Sequence, residues 1–147
     1  MSDQEEMLAL KNQGFNCSQI ILKMGLDLLG KDNPDLVKSM QGLAGGLGYT
    51  GDVCGALTGA VCLLGLYAGK GSAETPEDPR LLFMVEDLVK WFKEDCTKEY
   101  GGIHCLDIVN DDSQKMATRC PLLIEGCYQK AKELLVENGY DLSGMEI

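Results

Sequence analysis

Apolar residues recur at three- and four-residue intervals along nearly the whole chain, and no run alternates with the period of two that a half-buried strand requires. The pattern predicts an all-α protein, a compact bundle of about five to six helices. Residues 2–13 read as a short amphipathic lead-in that breaks at Gly14. Asn16 then caps a new helix, with Gln19 three positions on to complete a capping box, and Cys17, Ile21, Met24 and Leu28 share one face. A second helix takes Asn33 as its cap and Pro34 as its first residue, and carries Leu36, Val37, Met40 and Leu43 before dissolving into glycines.

Residues 42–51 are rich in glycine, which frees the backbone for tight turns or close approach. This is not a nucleotide loop, because no Gly-Lys-Ser/Thr follows and no strand precedes. Asp52 is placed to cap a third helix, residues 53–68, which is apolar almost all round and is therefore expected at the centre of the bundle. Gly55 and Gly59, with Ala56 and Ala60 beside them, give it a small-residue face for close packing of a neighbouring helix. Thr75-Pro76-Glu77-Asp78 reads as the start of a long fourth helix. Its buried stripe is Leu81, Val85, Leu88, Phe92 and Cys96, with Trp91 beside it, and it stops near Gly101-Gly102. A short helix at 105–109 and a polar loop at 110–114 precede a final helix from Cys120-Pro121, which turns Leu123, Ile124, Cys127, Ala131 and Leu134 inward. Residues after Gly139 read as a tail. With no internal repeat, the whole chain, 1–147, is expected to be one helical domain with its core at about 14–138.

Composition fits that expectation, since 45% hydrophobic and 24% charged residues are ordinary for one globular domain. A net charge of -10 repels phosphate backbones and anionic lipid, so nucleic acid is not an expected partner. The longest uncharged run, 53–69, falls short of the roughly 20 apolar residues of a membrane span and contains four glycines, so no membrane insertion is expected. The first six residues are acidic and lack the basic and apolar regions of a signal peptide, which points to a cytoplasmic, reducing setting.

That setting changes the meaning of the seven cysteines, an odd number in a chain long enough to bury its own core. They are core filler or chemistry rather than staples. Cys17, Cys54, Cys105 and Cys120 all stand at predicted helix starts, Cys120 because Pro121 suits the first helical position. Free N–H groups and the positive end of the helix dipole favour thiolate there and lower the cysteine pKa. Asp52 opposes the effect at Cys54. Cys62, Cys96 and Cys127 fall mid-helix or late in a helix and read as core. No Cys-x-x-Cys occurs, and the spacings 54–62 and 120–127 span about two helical turns, so any thiol site must be assembled between helices.

Four thiolates suit an iron–sulfur centre, [2Fe-2S] or [4Fe-4S], for electron transfer, two dithiol pairs for exchange, or a structural zinc site. The cluster is favoured because four activated helix starts match four anionic ligands. A redox partner protein is then expected, and a cluster shared across a homodimer is left open. The competing reading is a non-redox binding module in which all seven cysteines are core. His104, the single histidine, is expected to be exposed, and without a second histidine a catalytic zinc or hydrolase site is disfavoured. Glu5-Glu6, Glu94-Asp95 and Asp111-Asp112 read as solvated faces, and Met7, Met24, Met40 and Met84 as core.

The stretch Cys54-Gly55-Ala56-Leu57-Thr58-Gly59-Ala60 is similar to the signature of a bacterial family described as redox-active and known by its cysteine pattern, C_GCAxxG_C_C. Cys17, in Gly14-Phe15-Asn16-Cys17, resembles the family's first cysteine, Cys54 the one in its glycine motif, and Cys105 and Cys120 the two later ones. The resemblance runs from about Gly14 to Ala131, and departs from the family name at Val53, where that name implies a glycine. It also extends to the cluster-bearing part of split-Soret cytochromes, and so implies that these four cysteines hold an iron–sulfur centre. Covalent haem is not indicated, since Cys-x-x-Cys-His is absent.

Overall fold

Residues 1–142 are the part of the chain that the computed structural model describes; seven α-helices and one 3₁₀ turn make up about two-thirds of them, and the short segment Ala44–Leu47 is kinked by left-handed glycines rather than regular helix. The helices are α1 Asp3–Asn12, α2 Cys17–Leu28, α3 Pro34–Ser39, α4 Gly55–Ala68, α5 Arg80–Tyr100, α6 Cys105–Val109 and α7 Ser113–Glu137. The all-α expectation holds, and the helices predicted at 105–109 and from Asn16 onward are present; the one expected over 53–68 with Asp52 as its cap begins at Gly55, with Cys54 in the cap position. The Ser2 hydroxyl caps α1 by accepting from Glu5 N at 3.2 Å, and Gln19 Oε1 accepts from Asn16 N at 3.1 Å to close the start of α2. Asn33 Oδ1 caps α3 by accepting from Leu36 N at 3.1 Å.

Helix α4 is the hub, packed between α2, α5 and α7. Leu57, Ala60, Leu63 and Leu64 on it are buried, as are Ile20, Ile21 and Met24 of α2. The small-residue face works as expected. A side chain at Gly59 would press on the Ser18 backbone at 3.0 Å, and one at Gly25 would overlap Leu63. Each glycine costs the helix about 1 kcal/mol, while each fully buried Leu or Ile gains about 1.5–3 kcal/mol, so the close approach is favourable. Two buried polar side chains then tie α2 to the segment that follows it: Ser18 Oγ donates to Met40 O at 2.8 Å and Gln19 Nε2 to Val37 O at 3.2 Å.

Three expectations are corrected. The final helix begins at Ser113, seven residues before Cys120, because the Asp112 carboxylate accepts from Gln114 N at 2.9 Å and Lys115 N at 3.3 Å and so caps it there. Pro121 lies inside α7, and Cys120 is therefore not at a helix start. The long helix α5 begins at Arg80 rather than near Thr75, since the Asp78 carboxylate accepts from Arg80 N at 2.9 Å and holds the preceding residues outside. Residues just past Gly139 do not trail away. Tyr140 packs edge-on against Tyr67 with ring centroids 6.0 Å apart, donates from Oη to Asp78, and carries the Arg80 guanidinium 4.6 Å above its ring. The remainder of the expected tail, 143–147, lies outside the described residues.

Candidate four-cysteine site

The segment between α3 and α4 sets up the site. After the 3₁₀ turn Gln41–Leu43, five consecutive residues, Gly45, Gly46, Leu47, Gly48 and Tyr49, all have positive φ. Such a left-handed run costs about 1–2 kcal/mol for each residue that is not glycine, and three of the five are glycine. At Gly46 the requirement is absolute, because a side chain would collide with the Asp52 backbone. Thr50 Oγ1 closes the turn by donating to Gly46 O at 2.8 Å.

Beyond this turn the chain is stitched to the start of α6. Cys54 N donates to Ile103 O at 3.1 Å, Cys105 N to Asp52 O at 2.6 Å and Leu106 N to Gly51 O at 3.2 Å, an isolated antiparallel bridge centred on Val53 and His104. Asp52 is thus used through its backbone to place Cys105, and Cys54 itself occupies the cap position of α4. Cys17 is the first residue of α2, and Cys105 the first of α6. Gly55 lets α2 come in: a side chain there would lie 2.6 Å from Cys17 Sγ and 3.0 Å from Leu43 O.

The result is one cavity of about 320 Å³ whose wall includes Cys17, Cys54, Cys105 and Cys120. Phe15, Ile20, Ala56, Met116 and Ile124 give it a largely apolar surface. Three of the four cysteines come from helix starts and the fourth from inside α7, where Cys120 faces the same space. Cys96 and Cys127, both buried, sit in the helix packing outside this wall as expected, whereas Cys62 is only half-buried and stands outside the core. His104 is exposed, with Nδ1 3.2 Å from Asp107 Oδ2 and Nε2 3.9 Å from Asp52 Oδ1.

The expectation that helix starts lower the thiol pKa is overturned. Burial raises Cys17 and Cys105, and pushes Cys54 up to about 12 and Cys120 up to about 11. Backbone donors act in the opposite direction without prevailing. Ser18 and Gly45 N–H groups are directed at Cys17 sulfur, and Ala56 and Leu57 N–H groups at Cys54 sulfur. The sulfurs also feel one another, Cys17 acting on Cys54 and Cys120, and Cys105 on Cys17 and Cys120. Lys11 in the cavity wall lowers Cys120 slightly. Lys11, Gly45 and Tyr49 are site residues that sequence reasoning did not single out. The glycine run hinted at Gly45, whereas nothing in the pattern marked Lys11 or Tyr49.

Four thiols converge from separate segments, two of them already receiving backbone hydrogen bonds of the kind that stabilise sulfur-borne charge. Among the described residues no three His, Cys, Asp or Glu side chains are grouped tightly enough to hold one metal ion.

The model of the family described as "Putative redox-active protein (C_GCAxxG_C_C)" matches residues 15–134. No curated protein and no solved structure matches the chain. Ala56-Leu57-Thr58-Gly59 supplies the A-x-x-G of that pattern, with Cys54-Gly55 standing where the name has glycine before cysteine. The departure therefore lies in the order of residues 54 and 55 rather than at Val53. It suits the packing, since the second of the two positions is the one that Cys17 sulfur presses against.

Proposed function

The chain belongs to the C_GCAxxG_C_C family, described as redox-active, and on that premise we propose that Cys17, Cys54, Cys105 and Cys120 hold an iron–sulfur cluster that carries electrons. The observation that supports this most is the meeting of four cysteines, from four separate segments, on one largely apolar cavity.

An iron–sulfur cluster in this cavity supplies one-electron transfer, with a potential set by hydrogen bonds to sulfur and by solvent exposure. The chain's own contribution is legible residue by residue. Ser18 and Gly45 N–H groups support charge on Cys17 sulfur, and those of Ala56 and Leu57 on Cys54 sulfur. Phe15, Ile20 and Ile124 keep the surroundings apolar, and Lys11 is the cation in the wall. Leu43 O and Gly55 fix how near α2 comes.

Zinc is less well supported. Four thiolates on one zinc, each at about 2.3 Å, crowd within about 4 Å of each other, and among the described residues no group of three candidate ligands could hold a single metal ion. A cluster spreads its thiolates over several irons and suits a wider cavity. Thiol–disulfide exchange by the same cysteines is the second reading, favoured by Cys17 lying within electrostatic range of Cys54 in the same cavity wall. It needs a thiolate to attack, and burial works against one.

The test is anaerobic reconstitution with ferrous iron and sulfide. The wild-type chain is expected to retain both after desalting, a variant with all four residues changed to serine to retain neither, and Cys62→Ser to behave as wild type. Equal retention by the four-serine variant contradicts the assignment.

A further inference from the structure

Tyr49 is held in a conformation that a tyrosine adopts at a cost. Its φ is +64°, which penalises an L-residue with a side chain by about 1–2 kcal/mol. Gly and Asn take this conformation more readily. Burial does not repay the cost, because 67% of the residue is exposed. Outliers of this kind collect where a side chain is needed for a task.

The position of the ring indicates the task. It lies against Gly45, where any side chain would overlap it. Its hydroxyl donates to Asn16 Oδ1 at 3.4 Å, on the residue that precedes Cys17. Tyr49 and Asn16 both belong to the cavity wall. The ring therefore runs along the rim, from the left-handed turn to the start of α2, between solvent and the cavity that the four cysteines line. Gly45 serves two ends at once: its N–H points at Cys17 sulfur and its missing side chain makes room for the ring.

We propose that Tyr49 is a steric filter at the rim of the cavity, which admits small molecules to Cys17, Cys54, Cys105 and Cys120 and refuses bulky ones. This goes beyond the electron-carrier reading and holds equally if the thiols perform exchange, because it concerns access alone. What it selects against is the class of large, planar oxidants and aromatic disulfides.

The backbone offers a clean way to remove the ring, since Tyr49→Gly relieves the positive φ and is expected to melt at or above the wild-type temperature. The full-length protein, reduced and freed of metal with a chelator, is treated in parallel with an aromatic disulfide reagent and with iodoacetamide, and the modified cysteines are identified by mass spectrometry. Tyr49→Gly is expected to react several-fold faster than wild type with the aromatic disulfide at the four cavity cysteines, with iodoacetamide rates little changed. Tyr49→Phe, which keeps the ring and loses the hydroxyl, is expected to match wild type. Half-buried Cys62, outside the cavity, serves as internal control. Unchanged aromatic-disulfide rates in Tyr49→Gly overturn the proposal, and so does an equal acceleration by both reagents that extends to Cys62, which signals general loosening. If Tyr49→Gly melts below wild type, Tyr49→Asn, which also tolerates the conformation, carries the same comparison.

Discussion

At the level of single residues, the competition at the cysteines is between burial and local donors, and burial wins. Cys54 occupies a helix cap and receives two backbone N–H groups, yet its thiol is pushed up to about 12. A bound metal inverts this balance, because a coordinating thiol gives up its proton outright. The metal-free thiols are accordingly neutral, and on the cluster reading, binding would release protons. Gly55 is the residue on which the arrangement turns. Gly55→Ala puts a methyl group against Cys17 Sγ and Leu43 O, and overpacking of this kind costs about 1–3 kcal/mol. The expected outcome is a lower urea midpoint with unchanged slope, and a wild-type midpoint would show that α2 has room to move away.

At the level of elements, the helices that sequence pattern located best were those with local punctuation, Asn16 with Gln19 and Cys105 after the glycine pair; Asn33 with Pro34 marked the start of α3 correctly, but that helix ends at Ser39 and does not carry on through Met40 and Leu43. The start of α7 was misjudged because two signals competed. Pro121 is favoured at a first helical position, but the Asp112 carboxylate caps the chain earlier and the helix accommodates the proline. The acidic pair Glu5-Glu6 was only half legible. Glu5 is exposed and solvated, while Glu6 turns inward where α1 meets α2 and hydrogen-bonds with Asp27. Burial first, then that hydrogen bond and the charges of Asp27 and Asp3, raise its carboxyl from 4.5 to about 7. Helix α1 is otherwise tied to α7 by Gln129 Nε2 donating to Asp3 Oδ2 at 2.6 Å and by Lys132 Nζ, 3.3 Å from the same oxygen. In the interval between those two pKa values the folded chain holds a proton that the unfolded chain lacks. The associated stability is therefore full below the unfolded value and is lost as pH rises through about 7. Denaturant midpoints measured from mildly acid to mildly alkaline pH are expected to fall across this window in wild type and to fall less in Glu6→Gln. Parallel profiles for the two would show that another group sets the dependence.

At the level of the whole molecule, the convergence of the cysteines was out of reach of the sequence. Helix starts are local facts, but their meeting depends on a left-handed turn at 45–49 and on three backbone hydrogen bonds between 51–54 and 103–106. Neither leaves a periodic trace. What could be read was the constraint: with no Cys-x-x-Cys, any site had to be assembled across helices, and the glycines of α4 marked the contact that allows it. No helix among the described residues is long and apolar enough to cross a membrane. The central claim is that the four-cysteine cavity holds an iron–sulfur cluster. It is tested most directly by the visible absorption spectrum of anaerobically purified full-length protein, with iron and acid-labile sulfide assayed on the same sample. The account predicts a coloured protein with iron and sulfide in comparable amounts and an absorption band that bleaches on reduction with dithionite. A colourless protein free of iron, before and after anaerobic reconstitution, contradicts it.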